Sequence, residues 1–280
     1  TFGNDGTLII GDASGDSFTF NGGLTVSTAS STLAGSIDSS NDAMTFGAVT
    51  LAAATTLDSN ATDGTGDITI GAVTGSNNNL TLDTTATSGS ANHTFNGDIN
   101  LGSGALDVTG DVVLGANVTV TATAGSGTGI VFRDKINADN ASSNNRTLTL
   151  DSGTNSTISL LEAIGDSQAL AGLTITQSDG ATIGDGGQRK DINVNDGSAN
   201  DGVITFNTAI DGTSGSGDNL TIESGSAALT LVAIGQTTAL DQLTINPAGA
   251  GAITIDTNIG KGTVDATTVG VTGATAIGNS

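Results

Sequence analysis

The chain has 280 residues, 42 of them Gly; its only aromatics are seven Phe, and it holds one Pro, one His and no Cys. Its 28 Asp and Glu outweigh six Lys and Arg, giving a formal net charge of −22. Such a chain repels phosphate backbones and, without Trp or Tyr, has little for bases to stack on, so nucleic acid is excluded as a partner. Lack of Cys removes disulfides, thiolate zinc sites and Cys nucleophiles, and a single His leaves no imidazole cluster for metal or acid–base work. Charged residues are only 12%, and Val, Ile, Leu and Phe recur throughout, which favours a thin, continuous core over disorder. No run of about 18 apolar residues exists, so no membrane-spanning segment is expected. The opening Thr1-Phe2-Gly3 has no Met and no secretory-leader pattern, so the chain reads as a segment of a longer, secreted or processed product.

In chain order the commonest unit is apolar-Thr-apolar. It occurs at Phe18–Phe20, Leu24–Val26, Met44–Phe46, Val49–Leu51, Ile68–Ile70, Leu80–Leu82, Val118–Val120 and Leu148–Leu150. It recurs at Leu173–Ile175, Ile204–Phe206, Leu220–Ile222, Leu229–Leu231, Leu243–Ile245 and Ile253–Ile255. Successive strand residues point to opposite faces, so each unit sends two apolar side chains inward and one Thr outward. Gly, Asn, Asp and Ser between the units are turn chemistry, and the near absence of Pro suits a chain whose backbone N–H groups join ladders. Spacing of 3.6 is scarce, so no helix is expected; Ser159 to Leu173, the nearest candidate, reads as strand, bend, strand.

The second signal is an internal copy. Leu148-Thr149-Leu150-Asp151-Ser152-Gly153 matches Leu220-Thr221-Ile222-Glu223-Ser224-Gly225 further along. At nearly the same offset, Ala163-Ile164-Gly165 matches Ala233-Ile234-Gly235, and Leu173-Thr174 matches Leu243-Thr244. A Phe-x-x-x-Ile spacing recurs at Phe95/Ile99, Phe132/Ile136 and Phe206/Ile210. A period that drifts through indels in its turns is tolerated by a solenoid, where each coil buries its face on the next. The expected fold is all-β: a parallel β-helix of short strands forming one elongated domain over 1–280, with the clearest repeats in 90–260. At roughly 20–25 residues per coil and about 4.8 Å between strands, the rod would be roughly 55–70 Å long.

The run Asp201-Gly202-Val203-Ile204-Thr205-Phe206, then Ala209–Thr213, Asn219–Ile222 and Ala239–Ile245, resembles the repeat of giant bacterial β-strand-repeat surface proteins, similar to filamentous haemagglutinin-like adhesins. The resemblance is clear over roughly residues 90–260. It implies a secreted, right-handed β-helical fibre at the bacterial cell surface, used in adhesion, biofilm or an outer layer.

Of the acidic residues 26 are Asp and two are Glu, Glu162 and Glu223. Asp suits turns, where it caps local N–H groups; clustered hard oxygens also suit Ca²⁺, the one cofactor considered. Asp185, Asp191, Asp196 and Asp201 form the densest candidate set. The stretch from Asp191 to Gly197 is similar to the start of an EF-hand loop, but its Gly falls one place late and the closing Glu is missing. The six cations, Arg133, Lys135, Arg146, Arg189, Lys190 and Lys261, read either as local charge compensation or as contacts to a neighbouring subunit. His93 reads as exposed or stacking before a strand.

Enzymes occur on this fold, but accidental Asp pairs are certain here and neither a nucleophile elbow nor a P-loop is present; the chain is expected not to be an enzyme. Outward Thr pairs raise ice binding as another remote alternative. The expected function is a structural extracellular protein whose rods self-assemble into a fibre, sheath or surface layer. The contrasting reading is an adhesin stalk that binds host or matrix polymers, with surface polysaccharide as a further partner.

Overall fold

The computed structural model describes residues 2, 6–26, 30–59, 65–85, 91–139, 146–185, 189–195, 202–213, 218–225, 227–238, 240, 242–245, 253–255, 269–271 and 275–277. Every regular element among them is a strand, and strand pairs with strand in parallel throughout. All fourteen apolar-Thr-apolar units lie within strands. Short parallel strands cannot be joined by hairpins; the chain instead winds, meeting three sheet faces in turn, so the fold is the expected parallel β-helix.

Face 1 begins at Leu8–Ile10 and passes through the first residues of Ser31–Ser39 and Val49–Asp58. It continues through Val73–Thr74, Ile99–Gly102, Val118–Ala122, Thr147–Asp151, Gly172–Gln177 and the start of Val203–Asp211. It ends with the start of Leu229–Ile234, then Ile253–Ile255 and Thr275–Ile277. Face 2 starts with Ser17–Phe20 and takes the far halves of the long strands, along with Leu80–Asp83, Leu106–Thr109, Thr128–Phe132, Thr157–Leu160 and Ala181–Ile183. Face 3 runs from Leu24–Val26 through Met44–Phe46, Ile68–Ile70, Asn92–Phe95, Asp111–Leu114 and Ile136–Ala138. It narrows there to a single residue, Ile164, which bridges Ile136 to Ile192, and resumes as Arg189–Asn193, Asn219–Glu223, Gln242–Ile245 and Val269–Val271. The segment expected as strand, bend, strand does this: Thr157–Leu160, bends around Ile164, then Gly172–Gln177.

The core is a set of columns, not a cluster between layers. On face 3 one inward column reads Leu24, Met44, Ile68, His93, Val112, Ile136, Ile164, Ile192, Ile222, Ile245, each over the next. On face 2 another reads Ile37, Leu57, Leu82, Val108, Phe132, Leu160, Ile183. The columns meet across the interior, where the rings of Phe95 and Phe132 lie 6.4 Å apart. Each apolar residue therefore loses its water to the coils above and below, at roughly 25 cal/mol per Å² of surface covered.

Coil length is looser than expected. One turn of the helix takes the chain only from Ser31 to its register partner Val49, whereas another runs from Leu173 to Ile204, well beyond the expected length. The internal copy is also not a whole number of coils. Leu148 lies on face 1 and its copy Leu220 on face 3; Leu173 on face 1 and Leu243 on face 3; Ile164 on face 3 and Ile234 on face 2. The sequence repeat spans eight faces, two coils and two-thirds, so each copy is turned by one face. Phe-x-x-x-Ile is correspondingly a corner device: Phe95/Ile99 turns face 3 into face 1, Phe132/Ile136 face 2 into face 3, and Phe206/Ile210 face 1 into face 2.

Corners inside continuous strands need special backbone. Gly35, where Ser31–Ser39 bends from face 1 to face 2, has φ +80°, and a Cβ there would sit 2.2 Å from the Asp16 carbonyl oxygen. Gly35→Ala should cost at least about 2 kcal/mol in denaturant unfolding, from strain plus the clash. Ile222, fully buried between Ile192 and Ile245, gives a stronger test. Ile222→Asp buries an unpaired carboxylate and should abolish cooperative unfolding and the strand circular-dichroism signal, whereas Ile222→Val should cost only about 1 kcal/mol. A wild-type signal from the Asp variant would overturn the register.

Candidate functional site

The chemistry-bearing side chains sit at the corners, where a strand of one face hands over to the next. Many turn Asp and Asn reach to the neighbouring coil. Asp67 Oδ1 accepts from Asn92 N–H at 2.8 Å, Asp98 Oδ1 from Thr119 N–H at 2.8 Å, and Asp134 Oδ2 from Gly110 N–H at 2.7 Å. Asp111 Oδ1 takes Lys135 N–H at 3.2 Å and Asp211 Oδ1 takes Thr237 N–H at 2.9 Å. Asn79, Asn117 and Asn137 do the same for Ala105, Thr147 and Ser167. Local caps also occur: Asp16 receives the N–H groups of Asp12 and Ala13, which lower its pKa below the ordinary carboxylate value. The expectation of purely local capping is thus too narrow. Several of these N–H groups lie at or near strand starts, as those of Asn92, Thr119 and Thr147 do, and a side-chain oxygen one coil away accepts from each.

Four of the six cations are paired within the chain. Arg133 grips Asp107 through Nε (2.9 Å) and Nη2 (2.7 Å), and Arg146 grips Asp139 in the same two-pronged way. Lys135 Nζ lies 2.6 Å from Asp166. Burial alone would raise the Asp166 pKa, but the Lys135 ammonium holds it below its ordinary value. Lys190 departs most from expectation. It is an inward position of Arg189–Asn193, buried, with Nζ 2.7 Å from Glu162 and 3.3 Å from Asp185. The local-compensation reading holds for these four; the Arg189 side chain and Lys261 lie outside the described residues.

The Ca²⁺ candidates are only partly brought together. Asp185 is exposed and faces Lys190, a resident cation that competes with any metal for its carboxylate. Asp191 lies on the same strand as Lys190, half-buried. Asp196 and Asp201 lie outside the described residues. Among the described residues no three His, Asp or Glu come together as a metal site. One acidic alignment that sequence spacing did not reveal is on face 2, where Asp38, Asp58 and Asp83 stand directly over one another on the outer side. Like charges opposed in this way destabilise the sheet. Ser36 Oγ–H relieves Asp38, and Thr85 N–H and Oγ1–H relieve Asp83.

His93 corrects its expected place. It is not before a strand but inside Asn92–Phe95, fully buried, taking an aliphatic position in the face 3 column between Ile68 and Val112. Its Nε2 lies 2.9 Å from the Thr109 carbonyl and 3.2 Å from Thr84 Oγ1. A carbonyl only accepts, so Nε2 carries the proton and Nδ1 is the bare nitrogen; among the described residues Nδ1 has no hydrogen-bond partner. Burial lowers the pKa to about 4, against the pull of the Thr109 carbonyl and of the Asp83, Asp134 and Asp67 charges.

Compared with protein family models, curated proteins and solved structures, the chain has no match.

The corner bonds and the buried imidazole can each be tested through stability. Asp67→Ala should lower unfolding stability by about 1–2 kcal/mol, because it leaves the part-buried Asn92 N–H without its Asp67 acceptor, while Asp67→Asn, which keeps the acceptor, should stay within about 0.5 kcal/mol. For His93 the folded pKa lies below the unfolded value near 6.5, so the unfolded chain binds the extra proton. Its stability contribution is complete above about pH 6.5 and is lost as pH falls toward about 4, by about 3 kcal/mol in total. Unfolding of wild type and His93→Leu at a series of pH values should diverge across that window, the wild type falling faster with acid.

Proposed function

We propose that this chain is a structural rod of the bacterial cell exterior, which self-assembles into a fibre, sheath or surface layer. The observation that supports this most is the continuous inward column of face 3. The same column runs from Leu24 to Ile245 on face 3 with each coil covering the next. Such a body resists bending and extension through many parallel ladders at once. Leu8–Ile10 and Ser17–Phe20 each have one partner strand among the described residues, and Leu8, Phe18 and Phe20 are only partly covered. Phe18 and Phe20 pack against the core and stay partly exposed.

The charge distribution supports an ion-dependent assembly. The sequence before Arg133 holds twelve Asp and neither Lys nor Arg, whereas five of the six cations fall between Arg133 and Lys190. Rods so charged repel one another unless counterions intervene, and divalent ions do so most effectively. Electron microscopy of the purified chain with Ca²⁺ and after chelation tests the reading. Ordered filaments or sheets with Ca²⁺ that disperse on chelation are expected. Separate rods under both conditions would contradict self-assembly and favour the adhesin stalk.

A further inference from the structure

Face 1 differs from the other two in what it shows to solvent. Its outward positions line up in register as Ile9, Thr32, Thr50, Thr74, Asn100, Thr121 and Asp151, and a second column beside it reads Thr119, Thr149, Thr174, Thr205 and Thr230. Among the described residues the strands of this face carry one carboxylate, Asp151. Face 2 strands carry Asp38, Asp58, Asp83, Asp107 and Asp211, and face 3 strands carry Asp111, Asp191 and Glu223. Two of the three large apolar side chains that stand exposed, Ile9 at 67% and Val203 at 48%, are also on face 1.

We propose that face 1 is the surface on which a second copy of this chain packs side by side. The inference rests on the self-assembly reading above and names its contact. The argument is one of charge. Two bodies of net charge −22 approach most closely where each presents the fewest carboxylates, because like charges opposed across an interface suppress pairing. Face 1 comes nearest to that condition, with Asp151 as the one carboxylate on its described strands, and is a parallel sheet whose outward residues are mostly small, which gives a flat surface with few long side chains to immobilise. About eight Thr-bearing coils at about 4.8 Å, by a strip about 15 Å wide, offer roughly 500–600 Å² per copy, or roughly 1,000 Å² in all. That lies at the low end of specific interfaces, so a single pair is weak and concentration-dependent, and rods are held firmly only in an array. Screening shortens the reach of the flanking carboxylates to about 8–10 Å at ordinary ionic strength, so added NaCl should strengthen the pairing, opposite to a contact held by ion pairs.

Sedimentation velocity of the full chain over a concentration series, at low and moderate NaCl, tests this with two variants of equal charge. Thr149→Glu with Thr205→Glu places carboxylates on face 1, two coils apart so that they do not oppose each other. Thr45→Glu with Thr94→Glu does the same on face 3. Thermal melts establish that both variants fold. The expected result is wild-type and face 3 variant association that grows with salt, and at least tenfold weaker association of the face 1 variant. Association unchanged in the face 1 variant, or lost instead in the face 3 variant, would overturn the face assignment while leaving self-assembly standing. Wild type monomeric at every concentration would overturn both. Monomers that co-sediment with microcrystalline cellulose, and lose this in the face 1 variant, would assign the face to a neutral glycan and overturn the pairing.

Discussion

Each coil of this protein is one strand thick on every face and cannot hide its own apolar side chains. Their cover comes from the coil before, the coil after and the columns of the other faces across the interior. This constraint explains most of what the chain does with its residues. Inward positions such as those from Ile136 to Ile245 on face 3 must be large, aliphatic and in register, because one unfilled place exposes two neighbours as well as itself. Nothing comparable holds the turns, so coils range widely in length while the columns stay aligned. Stability in such a body is a sum of nearest-neighbour interfaces, and a rod made this way can be lengthened or joined without redesign.

The polar residues follow from the same constraint. Backbone N–H groups at or near strand starts take an acceptor from an adjacent coil, supplied by Asp67, Asp98, Asp134 or Asn117. Carboxylates serve here for their oxygens more than for their charge, and the negative charge that accumulates is a by-product that the rod must manage. The middle manages it with Arg133, Lys135, Arg146 and Lys190. The sequence before Arg133 has no Lys or Arg to do so, and the described strands of face 1 are nearly free of charge. His93 is a place where the column rule is broken by a titratable group, at the cost of a bare buried nitrogen.

Much of the fold was legible because strand alternation is a local property. Leu148-Thr149-Leu150 states its inward and outward sides in three residues, and every such unit proved to be a strand. Which face each unit occupies was not legible. The internal copy looks like whole turns of a screw, yet it sets Leu148 and Leu220 on different faces, because turn lengths between them are fixed by long-range register. Lys190 and His93 were missed for a related reason. Both alternate correctly with Ile192 and Phe95, but their polarity argues for the outside, and only the partners across the coil, Glu162 and Asp185 for one and the Thr109 carbonyl for the other, make the inside acceptable. The alignment of Asp38, Asp58 and Asp83 has no signature in spacing, since the intervals between them differ.

The central claim is the coil-on-coil register, and the absence of native Cys makes it directly testable. Thr149 and Thr174 are register partners on adjacent coils, whereas Thr149 and Thr205 are two coils apart. Parallel neighbours about 4.8 Å apart fall within disulfide reach, and a separation of about 10 Å does not. Mild oxidation at high dilution should therefore close an intramolecular disulfide in Thr149→Cys/Thr174→Cys and leave Thr149→Cys/Thr205→Cys reduced. Closure of the second pair, or failure of the first with the fold intact, would contradict the account.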